Sequence, residues 1–366
     1  MVNVRRRLAM VGMLSMGAWG ACSSAPPGGG DPPDAPVGRS DAAPTADAEA
    51  SPDAAAPLTA RGCFESQFVN GDIDGPDYDQ FGPIIGSHCN GTNQQDITGI
   101  ERVVFVGDSV TVGSPPTSAG DFYRSRLADM LVDRFGLDAP SGLWEQYDPF
   151  GGTTVVQSSG DFASCAKWGA RTDDLQADNS QLEDCMPTES RLKRTLVVMT
   201  MGGNDLSSLT QNAIDGEPAT DLWAQTEEFV QHLRDALDWI RAPGRFPNGV
   251  FVVFANIYEF TDATADTSAC PAASAAGFGD PPPDPAALAD MVIWANEQYL
   301  KAAVDTGSDM VFMLENFCGH GFHRDDPASP CYRGPGAERW FDDTCIHPNP
   351  TGHGKLAEQF FSVIAE

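Results

Sequence analysis

Basic residues are scarce in this chain of 366 residues: 22 Lys and Arg stand against 52 Asp and Glu, a formal net charge of −30. So acidic a surface repels phosphates, which excludes nucleic acid and anionic lipid as the main partner. A membrane-spanning run is missing as well. The apolar stretch from Leu8 to Ala21 is too short to cross a bilayer as a helix. No two cysteines have CxxC spacing and no Cys/His cluster has zinc spacing, so no metal centre is expected from them. Residues 23–60 contain no aromatic and almost no large apolar side chain. Such a segment cannot bury enough surface to offset its chain entropy, so a disordered tether is expected there. No internal repeat is visible.

What is present begins with an address. Arg5 to Arg7, the uncharged run and the small residues Gly20 and Ala21 before Cys22 have the three-part layout of a bacterial export signal over residues 1–21. The junction resembles the lipobox of bacterial lipoproteins, although Trp19 stands where that motif usually has Leu. The resemblance implies that Cys22 becomes a lipidated N-terminus, with residues 22–60 holding a domain away from a membrane surface. An ordinary cleaved signal with a secreted product is the alternative. Either way the protein is expected to be extracytoplasmic, either anchored to a bacterial membrane, the outer one by expectation, through that lipid alone, or released.

Eight cysteines remain: Cys63, Cys89, Cys165, Cys185, Cys270, Cys318, Cys331 and Cys345. An even number in an exported chain predicts up to four disulfides. Pairing of neighbours in sequence is the simplest expectation, and a bond from Cys345, for instance to Cys331, would pin the loop around it.

From about residue 100 strand-like and helix-like segments alternate, the pattern of an α/β fold with a mainly parallel sheet. Apolar runs at 102–107, 195–203, 249–257 and 308–314 read as strands, and amphipathic stretches at 121–136, 221–242, 285–307 and 350–366 as helices. Long Gly/Pro-rich segments at 137–190, 261–284 and 316–345 read as loops and hold six of the eight cysteines. One domain over 95–366 is expected, with 61–94 as a small extension bounded by Cys63 and Cys89.

"FVGDSVTVG" (105–113) places Ser109 in the turn after the first strand, and "GGND" (202–205) places Asn204 after the second. In an open parallel sheet both turns lie at the carboxyl edge, where sites gather. A nucleophilic serine needs a base, and its tetrahedral intermediate needs donors. "DDTCIHPNPTGH" (342–353) offers His347 on a loop before the last helix, and "WGARTDDL" (168–175) offers a tight turn at Gly169. Taken one at a time, each of these is an ordinary turn or cap residue.

Together, and in this order, the four blocks resemble those of the SGNH/GDSL hydrolase superfamily from about residue 100 to the end. The resemblance implies a flavodoxin-like three-layer α/β/α sandwich. It implies Ser109 as nucleophile, His347 as base, and an oxyanion hole from the Ser109 and Gly169 N–H groups with the Asn204 amide. The family usually has an acid three residues before the histidine, where this chain has Thr344. Asp343 is the first expectation for the residue orienting His347, with Asp342 or a backbone carbonyl as alternatives.

The implied activity is ester hydrolysis through an acyl-enzyme, without metal or organic cofactor, by a monomer acting on a small-molecule, lipid or sugar ester. An inactive surface-binding lipoprotein, with Thr344 as the trace of lost catalysis, and an acyltransferase using the same residues are the alternatives. Apart from these blocks, Asn70, Asp72, Asp74 and Gly75 follow the first half of a calcium loop, but the twelfth position is Phe81 rather than Glu. An acidic solvated loop explains that segment equally well. His353 is expected to be a local structural residue, and His320 and His323 to belong to a surface loop.

Overall fold

Val103, Val104, Phe105 and Val106 are all completely buried, because their strand runs through the middle of a sheet covered on both faces. The computed structural model describes residues 58–71, 74–176, 180–274, 278 and 280–366. The expected signal peptide, Cys22 and nearly all of the tether lie outside the described residues. Ala60 already opens a short helix through Phe64, capped by the Thr59 side chain.

The strands are β1 (Arg102–Gly107), β2 (Tyr147–Asp148), β3 (Thr153–Thr154), β4 (Ser158–Ser159), β5 (Phe162–Ser164), β6 (Thr195–Thr200), β7 (Val250–Ala255) and β8 (Asp309–Val311). Six of them form one sheet in the order β4-β5-β1-β6-β7-β8. All neighbours are parallel except β4, which turns back along β5. β2 and β3 form a separate hairpin. Among the parallel strands the second in sequence lies outside the first, followed by the third, fourth and fifth, which is the flavodoxin-like order.

The helices that matter below are α1 (Ser109–Val112), α2 (Tyr123–Phe135), α3 (Gly203–Ile214), α4 (Ala219–Arg241), α5 (Pro285–Thr306) and α6 (Pro350–Ala365). The period of two along the strands sorts their side chains between two layers. Val104, Val197 and Phe254 pack with Phe229 and Leu233 of α4 and Leu300 of α5. Val103, Leu196 and Val253 face the other way, onto Leu127 of α2 and Phe360 of α6. The result is a three-layer α/β/α sandwich, as the family resemblance implied.

Three elements depart from the sequence reading. Residues 137–190 are not all loop, since β4 and β5 extend the sheet from within them. The segment after β6 is a helix, α3, rather than a turn. The disulfides also differ in part. Cys63–Cys89, Cys165–Cys185 and Cys318–Cys331 each join consecutive cysteines, but Cys345 is bonded to Cys270 and not to Cys331. The fold brings the Cα atoms of Cys270 and Cys345 to 5.8 Å although they are 75 residues apart in sequence. Four disulfides suit an oxidising, extracytoplasmic compartment. No described helix is long and apolar enough to cross a membrane.

The Cys63–Cys89 extension belongs to the same compact unit as the sheet. Phe312 N–H donates to Asn90 O at 2.8 Å and Thr92 N–H to Met310 O at 3.0 Å, so the extension pairs with the chain at β8 and covers the outer edge of the sheet. Asn70, offered above as a calcium ligand, donates its amide to Pro327 O and Ser329 O, each at 2.8 Å. It therefore clasps a loop, Asp72 lies outside the described residues, and the calcium reading receives no support. Among the described residues no group of three or more His, Cys, Asp or Glu is arranged for a metal.

Candidate active site

β1 ends on Gly107, at φ 139°, where a Cβ would lie 2.2 Å from Thr200 O. Only glycine fits so close to the neighbouring strand. Gln181 holds both its polar groups, accepting from Gly107 N–H at 2.7 Å and donating to its carbonyl at 2.9 Å. Asp108 then caps α1: its Oδ1 accepts from Val110 N–H and from the Thr200 hydroxyl, both at 3.0 Å. Burial pushes the Asp108 carboxyl up to about 6. Ser109 is thereby the first residue of a helix, and its N–H has no acceptor within that helix.

The far end of α1 is fixed as firmly. Thr111 Oγ1 sits 2.6 Å from Tyr123 OH and 2.7 Å from Thr200 Oγ1. The buried Arg124 guanidinium donates to Thr111 O at 3.1 Å and Trp144 O at 2.7 Å, and lies over the Trp144 ring. Desolvation holds its pKa down to about 9.

The segment before α6 is a tight strap. Phe341 pairs with Pro348, Asp342 N–H donates to His347 O at 2.9 Å, and Cys345 is tied to Cys270. Tyr258 donates to Ile346 O and stacks on Phe341. This strap brings His347 Nε2 to 2.8 Å from Ser109 Oγ. The other ring nitrogen, Nδ1, lies 2.8 Å from Thr344 Oγ1. Thr344 Oγ1 in turn donates to Asp342 Oδ1 at 2.5 Å, and Thr344 N–H donates to the same oxygen at 2.8 Å.

The protons in this chain are fixed by counting. A hydroxyl has one hydrogen. With that hydrogen on Asp342, Thr344 Oγ1 accepts from His347 Nδ1–H. Nε2 is then bare and accepts from Ser109. Burial lowers the His347 pKa and the Asp342 charge opposes that shift. The first expectation for the orienting acid is corrected: Asp343 is 79% exposed and pairs with Arg339 at 2.8 Å. Asp342 is buried and is joined to His347 through the Thr344 hydroxyl. Sequence reasoning gave Thr344 no role beyond being the trace of lost catalysis in the inactive alternative. The usable signal was a hydroxyl in the acid's position with an aspartate two residues earlier.

Asn204 is the second residue of α3, and its Nδ2 donates to Ala170 O at 2.8 Å. Its neighbour Asp205 accepts from Thr172 N–H at 3.0 Å and Thr172 Oγ1 at 2.9 Å. These two side chains bind the Gly169 turn to the start of α3. Gly169 itself is exposed, at φ 74°. Gly202, at φ 113°, makes the preceding bend, where a Cβ would meet Tyr299 OH at 2.4 Å.

A cavity of about 250 Å³ opens beside Ser109, walled by Asn204, Leu206, Tyr258, Phe260, Leu288 and Val292 among others. The extension contributes Asp74, Gly75 and Pro76 to it, which the sequence reading did not foresee. His353 is buried, accepts from Tyr123 N–H at 3.2 Å, and has its pKa held down to about 3 by desolvation. It is structural, as expected. His320 stacks on Trp340 and His323 lies 3.2 Å from Asp266, both away from Ser109's cavity wall.

A model of the GDSL-like lipase/acylhydrolase family matches residues 105–355. The chain belongs to that family. Its match spans all four blocks, from the strand before Ser109 to the helix after His347. Among solved structures, this GDSL-like hydrolase is similar to a gut microbial diltiazem-metabolizing enzyme, with a TM-score of 0.44 and 14% identity. The alignment covers 74% of this chain and 49% of that one, so the hydrolase spans about half the enzyme's length. No curated protein matches the chain.

Proposed function

We propose that this GDSL-like hydrolase cleaves carboxylic esters through an acyl-enzyme on Ser109. The observation that carries the proposal is the unbroken chain Ser109–His347–Thr344–Asp342, with links of 2.8, 2.8 and 2.5 Å. His347 Nε2 takes the Ser109 proton as Oγ attacks the ester carbonyl. The imidazolium that forms carries its Nδ1–H toward Thr344, whose oxygen is made more negative by donation to Asp342. The oxyanion is received by the Ser109 N–H, the Gly169 N–H and the second amide hydrogen of Asn204. His347 returns its proton to the departing alcohol, and water activated by the same nitrogen releases the acid. These steps use no cofactor.

The cavity beside Ser109 favours an uncharged ester with an apolar chain. The lipid anchor at Cys22 and the monomeric state belong to the same proposal; the mass of the mature N-terminus tests the former and light scattering the latter. The activity is tested with p-nitrophenyl acetate, butyrate and longer esters, beside Ser109→Ala. Ser109-dependent turnover supports the reading. A folded, oxidised protein that turns over none of them refutes it.

A further inference from the structure

The cavity beside Ser109 runs along the carboxyl edge of the sheet. Its wall takes in Ser109 after β1, Asn204 after β6, Tyr258 after β7 and Met313 after β8. β1 and β8 are separated by β6 and β7 in the sheet order, which is roughly 14 Å at the usual strand spacing. The volume of about 250 Å³ holds roughly eight carbon atoms, at the ~30 Å³ that one water takes in the liquid. Pro285, Leu288, Ala289, Val292 and Ile293 of α5 all line it and fall on one helical face, yet none of the five is buried. An apolar helical stripe ordinarily packs against protein. Here it is left facing a space that suits an apolar chain.

The end of this space away from Ser109 is supplied by the extension, which lies outside the residues that the family model matches. Pro76 lines the cavity, and the two residues after it are pinned. Asp77 N–H donates to Glu297 of α5 at 2.9 Å. Tyr78 OH accepts from Asn256 Nδ2 at 2.7 Å, and its ring stacks on Phe312 with centroids 5.3 Å apart. Asn256 follows β7 and Phe312 follows β8, so Pro76 is held at the far side of the cavity from β1.

An ester has two arms, and the site distinguishes them. The alcohol oxygen takes its proton from His347 Nε2, so the alcohol leaves on the histidine side. Ser109 and Asn204 belong to the cavity wall, whereas His347 and Thr344 do not. The acyl arm is the one that points into the cavity.

We propose that this cavity is the acyl site, that it takes a straight acyl chain of about eight carbons, and that Pro76 is the specificity-determining residue that limits the length. The assignment rests on the ester-hydrolase reading and names its substrate class.

kcat/KM on two series of dissolved esters reads the claim: p-nitrophenyl esters of straight acids from acetate to dodecanoate, and acetates of straight alcohols from ethanol to dodecanol. In the acyl series kcat/KM rises roughly threefold per methylene, reaches a limit near about eight carbons, and gains nothing beyond it. In the alcohol series no such rise occurs. Pro76→Trp fills the far end, and the octanoate-to-acetate ratio of kcat/KM falls about tenfold, as for a loss of about two methylenes. A flat acyl series, a rise that follows the alcohol arm instead, or a ratio unmoved by Pro76→Trp overturns the proposal. Should Pro76→Trp lose all turnover, Asp74→Trp, at an exposed position of the same wall, is read by the same ratio. p-Nitrophenyl acetate turnover and its loss in Ser109→Ala decide the hydrolase reading separately. Acetate turnover with a flat acyl series overturns the acyl site alone, and no turnover of any ester overturns both.

Discussion

Thr344 Oγ1 lies 2.8 Å from His347 Nδ1, in the position from which an acid would orient the ring. The same hydroxyl donates to Asp342 Oδ1 at 2.5 Å, which connects the ring to the buried carboxylate. A threonine here is therefore a link in the chain rather than a gap in it, because its single proton is already committed and its lone pairs face the imidazole.

If the link holds the tautomer, removing it costs rate more than binding. Thr344→Val keeps the shape and deletes the hydroxyl, and kcat on p-nitrophenyl butyrate falls roughly 100-fold to 1,000-fold with little change in KM. Thr344→Ser, which restores an oxygen in the same place, stays within about tenfold of the unsubstituted enzyme. Equal losses in both variants contradict the relay.

The two neighbouring aspartates separate in the same assay. Asp343→Asn breaks only an exposed pair with Arg339, worth about 1 kcal/mol or less, and leaves kcat within about twofold. Asp342→Asn keeps an acceptor oxygen but removes the negative charge on the group to which the Thr344 hydroxyl and N–H donate, and kcat drops by roughly 100-fold.

The base must be neutral to accept the serine proton, so activity rises as pH rises through the His347 pKa. Burial penalises the imidazolium and brings that pKa below the ordinary 6.5. The acid limb of kcat/KM accordingly has its midpoint below pH 6.5. Asp342 favours the imidazolium, so in Asp342→Asn the midpoint moves lower still. A midpoint at or above 6.5 in the unsubstituted enzyme goes against this assignment.

Cys270–Cys345 closes a span of 75 residues and anchors the strap two positions before His347. Removing it by Cys270→Ser with Cys345→Ser costs about 4 kcal/mol in the chain-entropy account. Because the strap sets the Ser109–His347 distance, kcat falls in molecules that remain folded. Urea unfolding and kinetics on the same sample separate the two effects.

The parallel core was legible because β1, β6 and β7 are continuous apolar runs, as strands buried on both faces must be. Ser109 and Asn204 were legible because each follows an apolar run, and His347 because it stands just before the last amphipathic stretch. β4 and β5 were not, since two or three small residues such as Ser158 and Ser159 carry no periodicity. α3 was missed for a related reason: "GNDLSSLTQNAI" opens on turn formers and has few large apolar side chains. The Cys270–Cys345 bond depends on two loops meeting in space, which spacing along the chain does not encode. The choice between Asp342 and Asp343 depended on the path of the strap, in which Asp342 is buried and Asp343 exposed, and adjacent aspartates in the sequence do not encode that.

Labelling of the intact protein with a fluorophosphonate, read by mass spectrometry of the modified peptide, tests the central claim most directly. The account predicts a single adduct on Ser109, formed rapidly in the unsubstituted enzyme, slowly in Thr344→Val and not at all in His347→Ala. An adduct elsewhere, or none on a folded and oxidised protein, would contradict the assignment of Ser109 as a nucleophile activated by His347.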